Sequence, residues 1–236
     1  MAAIADNLQA VKKRIERAAV AAGRDPSTVT LLAVSKMHVA ACIQEAASAG
    51  QRAFGENYVQ EGLEKIDALS GTKGLEWHLI GPLQSNKTRV VAERFDWVHT
   101  VASEKIARRL SEQRPAGLPP LSVLIQVNVS GEATKSGLKA EEVLNLARPI
   151  QSLKGIRLRG LMAIPEPGAS RERYREVRDL YEKMKAEFGF DTLSMGMSDD
   201  LDTAIAEGAT LVRIGTAIFG SRQSVRSAGR LASYYK

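Results

Sequence analysis

Thr30-Leu31-Leu32-Ala33-Val34-Ser35-Lys36 is a short, nearly continuous apolar run that ends on a lysine. A run of this length without alternation reads as a strand buried on both faces, as in a parallel sheet covered by helices. Such folds gather ligands outside the carboxyl ends of their strands, and Lys36 stands at that end. Two readings of Lys36 follow. One is an amine at the rim of an apolar site, where loss of hydration favours the neutral, nucleophilic form that attacks carbonyls and forms Schiff bases. The other is an ordinary charged residue where the chain returns to water.

Outward from this run the chain alternates. Before it, Asp6 to Ala22 carries Leu8, Val11, Ile15, Ala18, Ala19 and Ala22 at helical spacing, and Gly23 with Arg24-Asp25-Pro26-Ser27 supplies a stop and a turn. After it, the patterning predicts strands at Gln51 to Phe54, Glu76 to Ile80, Trp97 to Val101, Leu121 to Val127, Leu158 to Ile164, Thr192 to Met195 and Thr210 to Ile214. Between them lie helical stretches at Val39 to Ala49, Val59 to Leu69, Thr88 to Phe95, Ser103 to Arg114, Ala140 to Leu153, Arg171 to Phe188 and Ser198 to Glu207. Thr216 to Phe219 reads as a short helical turn. Ser103 is the expected N-cap of its helix, and Pro149 should kink or divide the one around it. About eight β-then-α units with no composition break point to an α/β fold, a single (β/α)8 TIM barrel spanning residues 1–236. The alternative is a doubly wound open sheet, which usually needs fewer strands.

Composition narrows the function. The 44% hydrophobic and 25% charged content is that of a soluble globular protein, with neither a membrane-spanning run nor a secretory signal. The single cysteine, Cys42, excludes an internal disulfide, fits a reducing, cytoplasmic setting, and is expected to be buried in its helix. Most of the +6 net charge belongs to a basic tail, residues 222–236, whose four Lys/Arg meet no acid. The rest is close to neutral, which argues against nucleic acid as a partner, as does the lack of aromatics interleaved with basic residues.

The residues just past the strands are polar or glycine-rich where the strands behind them are apolar. They include Lys36, Gly55-Glu56-Asn57, Gly81 with Gln84-Ser85-Asn86-Lys87, Asn128 with Ser130-Gly131-Glu132, Gly196-Met197-Ser198 and Gly215-Thr216. Barrels often hold phosphate between the loops after strands seven and eight. Ser198 as an N-cap, and Gly215-Thr216 opening a short helix, suit an anion there; equally, Ser198 could only cap and Gly215 only end a strand. Asp199 and Asp200 would have to turn away from such an anion. Arg213, between Val212 and Ile214, needs a partner if buried, and a structural salt bridge is the preferred expectation over a ligand contact. His38, His78 and His99 lack zinc-ligand spacing with Cys42, and His78 reads as a satisfied, partly buried histidine. No P-loop, dinucleotide fingerprint or nucleophile elbow stands where each would be needed.

Several stretches together resemble one family. They are Ala33-Val34-Ser35-Lys36, Phe54-Gly55-Glu56-Asn57-Tyr58, Trp77-His78-Leu79-Ile80-Gly81-Pro82-Leu83-Gln84-Ser85-Asn86-Lys87 and Val127-Asn128-Val129-Ser130-Gly131-Glu132. Gly160-Leu161-Met162, Leu193-Ser194-Met195-Gly196-Met197-Ser198-Asp199-Asp200 and Val212-Arg213-Ile214-Gly215-Thr216-Ala217-Ile218-Phe219-Gly220 continue the series. In that order they resemble the YggS/PROSC family of pyridoxal phosphate homeostasis proteins. The resemblance implies a barrel like the N-terminal barrel of alanine racemase, with pyridoxal 5′-phosphate (PLP) as cofactor. By it, Lys36 would carry PLP as a Schiff base, Ser198, Gly215 and Thr216 would hold its phosphate, Arg213 would face the pyridine nitrogen, and Asn57 would line the pocket. The tail from Ser221-Arg222 matches no family motif.

An arginine at the pyridine nitrogen disfavours ring protonation and makes PLP a weaker electron sink. Racemases of this arrangement add a base from a further domain, for which no room is expected after the last unit. The implied role is therefore a monomeric, non-catalytic PLP carrier, with apo PLP-dependent enzymes as recipients and neither nucleic acid nor membrane as partner. The alternatives are a single-domain PLP-dependent racemase and a barrel that binds another phosphorylated metabolite through Lys36.

Overall fold

In the computed structural model, which describes residues 3–129 and 136–220, helix α1 (Ile4–Ala21) comes first and buries Leu8, Val11, Ile15, Ala18 and Ala19. Strand and helix then alternate: β1 (Thr30–Val34), α2 (Ala40–Ser48), β2 (Ala53–Glu56), α3 (Val59–Ala68), β3 (Glu76–Leu79), α4 (Thr88–Arg94) and β4 (Trp97–Val101). The second half continues with α5 (Glu104–Gln113), β5 (Leu121–Val127), α6 (Ala140–Gln151), β6 (Ile156–Ala163), α7 (Arg171–Phe188), β7 (Thr192–Ser194), α8 (Leu201–Ala206), β8 (Leu211–Ile214) and α9 (Thr216–Phe219). All strands pair in parallel with their sequence neighbours, and β8 closes on β1, so the expected barrel forms and the open sheet does not. The Ser130-Gly131-Glu132 loop and the basic tail lie outside the described residues.

Two apolar layers follow from the period of two along each strand. Leu31, Ala33, Val212 and Ile214 face outward into the main core, against the apolar stripes of α1 and the other helices. Leu32, Ala53 and Leu211 point inward to one small cluster, and Trp97, Leu124 and Met162 to another. Polar side chains occupy the interior between them, as the functional site makes clear.

Local signals act largely as the patterning implies. Ser103 Oγ accepts from the backbone N–H of Ile106 at 3.3 Å, capping α5 as expected. Helix α6, however, runs unbroken through Pro149 and ends two residues later. The proline falls in the last turn, where its missing N–H costs one bond and no following turn needs redirecting. Cys42 is half-buried, not buried, because α2 turns Ile43, Ala46 and Ala47 to the core instead.

In β6 the register against β5 shifts between Val123 and Leu124, so Arg159 has no pairing partner. It stacks over the Trp97 ring, with its guanidinium carbon 4.7 Å from the ring centroid, and pairs with Asp191 at 2.8 Å. Gly160, next along, has φ 152, and a Cβ there would lie 1.9 Å from the Thr192 carbonyl oxygen. We expect Gly160→Ala to lower the unfolding free energy by about 2–4 kcal/mol in urea denaturation, because β7 must move away from β6 to admit the methyl.

Candidate functional site at the barrel mouth

Lys36 lies two residues beyond β1, half-buried, in a turn whose backbone is held from both sides. Ser35 before it is fully buried, donates its backbone N–H to Gly55 O at 3.0 Å and its hydroxyl to Glu56 Oε1 at 2.6 Å. Met37 after it adopts φ 64, a left-handed conformation unusual for a side-chain-bearing residue. Such strain costs on the order of 1 kcal/mol and persists where surrounding groups impose it. Here Glu61 Oε1 accepts the Met37 N–H.

A buried ammonium joins these braces. Lys65 Nζ donates to Ser35 O at 2.7 Å, Glu56 Oε1 at 2.8 Å and Glu61 Oε1 at 2.7 Å, which uses all three of its protons. Glu61 and Lys65 face each other one turn apart on α3, and Glu56 ends β2. Burial pushes the Glu56 carboxyl up to about 7, although Lys65 opposes the shift. Sequence reasoning did not single out this cluster; the Glu61/Lys65 spacing on an otherwise apolar helix face was the available signal.

The exits of the neighbouring strands bring the remaining predicted residues to the same side. Pairing of Leu32 with Arg213 and Ala33 with Ile214 sets the end of β8 against β1. Gly215 follows at a close approach, where a Cβ would stand 3.0 Å from Val34 O. It occupies the N-cap position of α9, so exposed Thr216 opens that helix, as expected, where the first N–H groups have no intrahelical acceptor. Ser198 does not cap a helix. Helix α8 begins later, at Leu201, with Asp200 in the cap position. Asp200 takes over the turn because its carboxylate accepts both the Met197 N–H and the Tyr174 hydroxyl. That turns the Asp200 charge back into its own loop and leaves Ser198 half-buried in the turn, its carbonyl held by Arg14 Nη1 at 2.6 Å.

Arg213 is buried and forms no salt bridge among the described residues, contrary to expectation. Nη1 donates to Ser194 Oγ at 2.7 Å and Nη2 to Ala163 O at 2.9 Å. Both acceptors are neutral, and burial brings the guanidinium pKa down to about 10, with Asp200 and Tyr174 opposing the shift. Two N–H groups are thus engaged out of a guanidinium's five. Asn57, past β2, lines a cavity of about 330 Å³ on the β3–β6 side of the mouth, with Thr100, Gln126, Asn128 and Glu166. Asn57 Oδ1 and Glu166 Oε2 are buried there without hydrogen-bond partners. Lys36, Ser198, Arg213, Gly215 and Thr216 stand on the β7, β8 and β1 exits beside it.

His78 is fully enclosed, not partly buried, and its ring Nδ1 lies 2.9 Å from Nε2 of His99. No group of three or more His, Cys, Asp or Glu side chains among the described residues could hold a metal ion.

A closed barrel with a lysine at the β1 exit and glycine- and hydroxyl-bearing turns after β7 and β8 defines a class, the barrel of the alanine racemase N-terminal domain. Residues 2–223 match that family model. The pyridoxal phosphate homeostasis protein of Pseudomonas aeruginosa is 59% identical over 226 residues, covering 94% of this chain and 97% of that protein. The protein of the same name from Escherichia coli K12 is 54% identical, covering 93% of this chain and 97% of that one. The chain belongs to the family of pyridoxal phosphate homeostasis proteins. Among solved structures, PipY of Synechococcus elongatus with PLP bound superposes with a TM-score of 0.80 at 35% identity, covering 92% of this chain and all of that one (100%). Alanine racemase of Clostridium difficile shares the fold at a TM-score of 0.69 and 16% identity, over 90% of this chain and 56% of the enzyme.

The raised Glu56 carboxyl carries a pH dependence of definite sign. Unfolded, the group would lose its proton near 4.5; folded, it keeps it to about 7. Unfolding between those values releases a proton, so rising pH favours it. We expect the stability of the protein without ligand to fall as pH rises through this window, by on the order of 3 kcal/mol. Glu56→Gln should flatten that portion of the profile in denaturant titrations across pH.

Proposed function

We propose that this protein binds PLP as a Schiff base on Lys36 and serves intracellular PLP homeostasis, holding the cofactor without efficient turnover. The observation that carries the reading is the convergence of Lys36, Arg213 and Gly215-Thr216 on adjacent strand exits, fixed by the β1–β8 register. The residues present fit the group. A buried guanidinium with spare donors suits a ring nitrogen, and the close backbone approach at Gly215 would crowd a side chain against the Val34 carbonyl. When bound, PLP supplies an aldehyde for Lys36 and a conjugated ring able to accept electrons.

Each residue then has a task. Lys36 provides the amine, and the braces on Ser35 and Met37 fix the direction in which it leaves the barrel wall. Ser198, the Gly215 backbone and the Thr216 hydroxyl take the phosphate. Asp200, turned toward Met197 and Tyr174, keeps its carboxylate off the anion. Asn57 presents an unpartnered acceptor to the pocket wall. Arg213 donates to the pyridine nitrogen and keeps a proton off it, because a nitrogen lone pair engaged by a cation is a poor base. A ring so held withdraws electrons weakly, which favours storage and delivery over amino-acid chemistry. In this reading residues 1–236 form a single PLP-binding domain of a cytoplasmic monomer, with apo PLP-dependent enzymes as recipients and neither nucleic acid nor membrane as partner. No helix among the described residues is long and apolar enough to cross a membrane.

Borohydride reduction of the PLP-loaded protein followed by peptide mass mapping tests the assignment. The adduct is expected on the peptide containing Lys36 and should vanish in Lys36→Ala. A colourless wild type, or an adduct on another lysine, overturns it. Racemisation of an amino acid at ordinary turnover, on the order of 1 per second or faster, would favour the racemase instead.

A further inference from the structure

The barrel interior holds two buried histidines that the cofactor reading leaves without a role. From the mouth downward, Arg213 Nη1 lies 2.7 Å from Ser194 Oγ, Ser194 Oγ lies 3.2 Å from His99 Nδ1, and His99 Nε2 lies 2.9 Å from His78 Nδ1. His78 Nε2 then reaches Glu76 Oε1 at 3.2 Å, at an angle short of a well-formed hydrogen bond. His78 lies flat on Trp97, centroids 5.1 Å apart and planes 6° apart, and the Trp97 indole N–H also donates to Glu76. The Glu76 side chain, at the first residue of β3, is 45% exposed on the N-terminal face of the barrel, whereas both imidazoles are buried.

The two ends fix the direction of everything between them. A guanidinium only donates and a carboxylate only accepts. Ser194 therefore accepts from Arg213 and passes its own proton to His99 Nδ1. His99, with Nδ1 accepting, carries its proton on Nε2 and donates to His78 Nδ1. His78 likewise carries its proton on Nε2 and directs it at Glu76. The reverse arrangement would strand the serine proton and set the bare His78 Nε2 lone pair against a carboxylate, leaving buried polar groups unsatisfied. In the forward arrangement every dipole turns its negative end to Arg213 and its positive end to Glu76.

We propose that Ser194, His99 and His78 form a one-directional hydrogen-bond chain, its lower end turned toward the Glu76 carboxylate, that positions Arg213 for the ring nitrogen of the bound cofactor. It rests on the reading that Arg213 faces that nitrogen. The chain members are positioning residues: they act on the mouth only through Arg213, which Ser194 contacts directly. Ser194 and Ala163 O pin two guanidinium nitrogens, which sets the guanidinium plane and points its remaining donors. The charged and titratable groups facing the chain are Glu76, Asp96 and Arg159 at its lower end and Arg213, Asp200 and Tyr174 at its upper end. Burial keeps both imidazoles neutral, lowering their pKa values.

Nitrogen NMR of the imidazoles tests the chain in the ligand-free protein, which has three histidines to assign. Both buried rings should be neutral with the proton on Nε2 and should stay so from about pH 6 to 8. A proton on Nδ1 of either ring, or titration to imidazolium in that range, overturns the proposal. The second measurement acts at a distance. Glu76→Ala removes the last acceptor at the half-exposed lower rim, where loss of fold is not expected, and Glu76→Gln keeps an acceptor oxygen there. Glu76→Ala is expected to weaken PLP binding roughly three- to tenfold and to change the pH profile of the bound-cofactor absorbance, with Glu76→Gln within about twofold of wild type. Unchanged affinity and absorbance in Glu76→Ala overturns it. Should wild type take up no PLP on Lys36, the cofactor reading fails and the NMR result still decides the chain.

Discussion

Four residue pairs, from Thr30 with Leu211 to Ala33 with Ile214, close the barrel and set the ends of the chain's first and last strands side by side. Without that closure Lys36 and Arg213 would be separated by nearly the full sequence and by the width of a sheet. With it, a residue two places beyond β1 and another inside β8 belong to one wall. The small residue at position 215 follows from the same register, since the backbone of β8 leaves the sheet directly against Val34. The functional wall is thus a consequence of strand pairing, and the helices outside contribute it indirectly by burying the outward faces of the same strands.

Buried charge is handled in two different ways. Around Lys36 it is handled by pairing: an ammonium and two carboxyl groups are buried together, each hydrogen-bonded, and breaking such a set leaves a charge that water cannot reach. Around Arg213 it is handled by neutral acceptors and aligned dipoles, which keep the cation solvated without neutralising it. The distinction suits the tasks. The pocket under Lys36 needs only to hold a backbone turn. In the proposed site Arg213 keeps donors unspent for the cofactor, and a carboxylate partner would consume them.

The sequence made the barrel legible because each unit carries its own signal: apolar runs of strand length, helices with stripes, a stop at Gly23 and a cap at Ser103. Lys36 and the turns after β7 and β8 were legible for the same reason, as polar residues ending apolar runs. Contacts between units were not. The pairing of His78 with His99, and of Glu56 with Lys65, depends on which strand and helix faces meet, and residues so far apart show no spacing rule. Ser198 and Asp200 are both good caps, and the bonds Asp200 accepts from the Met197 N–H and from the hydroxyl of Tyr174, on α7, decide between them. Arg213 was expected to need an anion because buried charges usually do; a serine and a backbone carbonyl meet that need through geometry invisible in one dimension.

In the proposed site one wall of the mouth holds PLP with its aldehyde carbon on Lys36 and its ring nitrogen on Arg213. A crystal structure of the protein grown with PLP tests it most directly. Continuous density from Lys36 Nζ to the cofactor is expected, with a guanidinium nitrogen of Arg213 within hydrogen-bond distance of the ring nitrogen and the phosphate between Ser198 and Gly215-Thr216. PLP found with its phosphate elsewhere, or with its ring nitrogen facing a carboxylate or water, would contradict it.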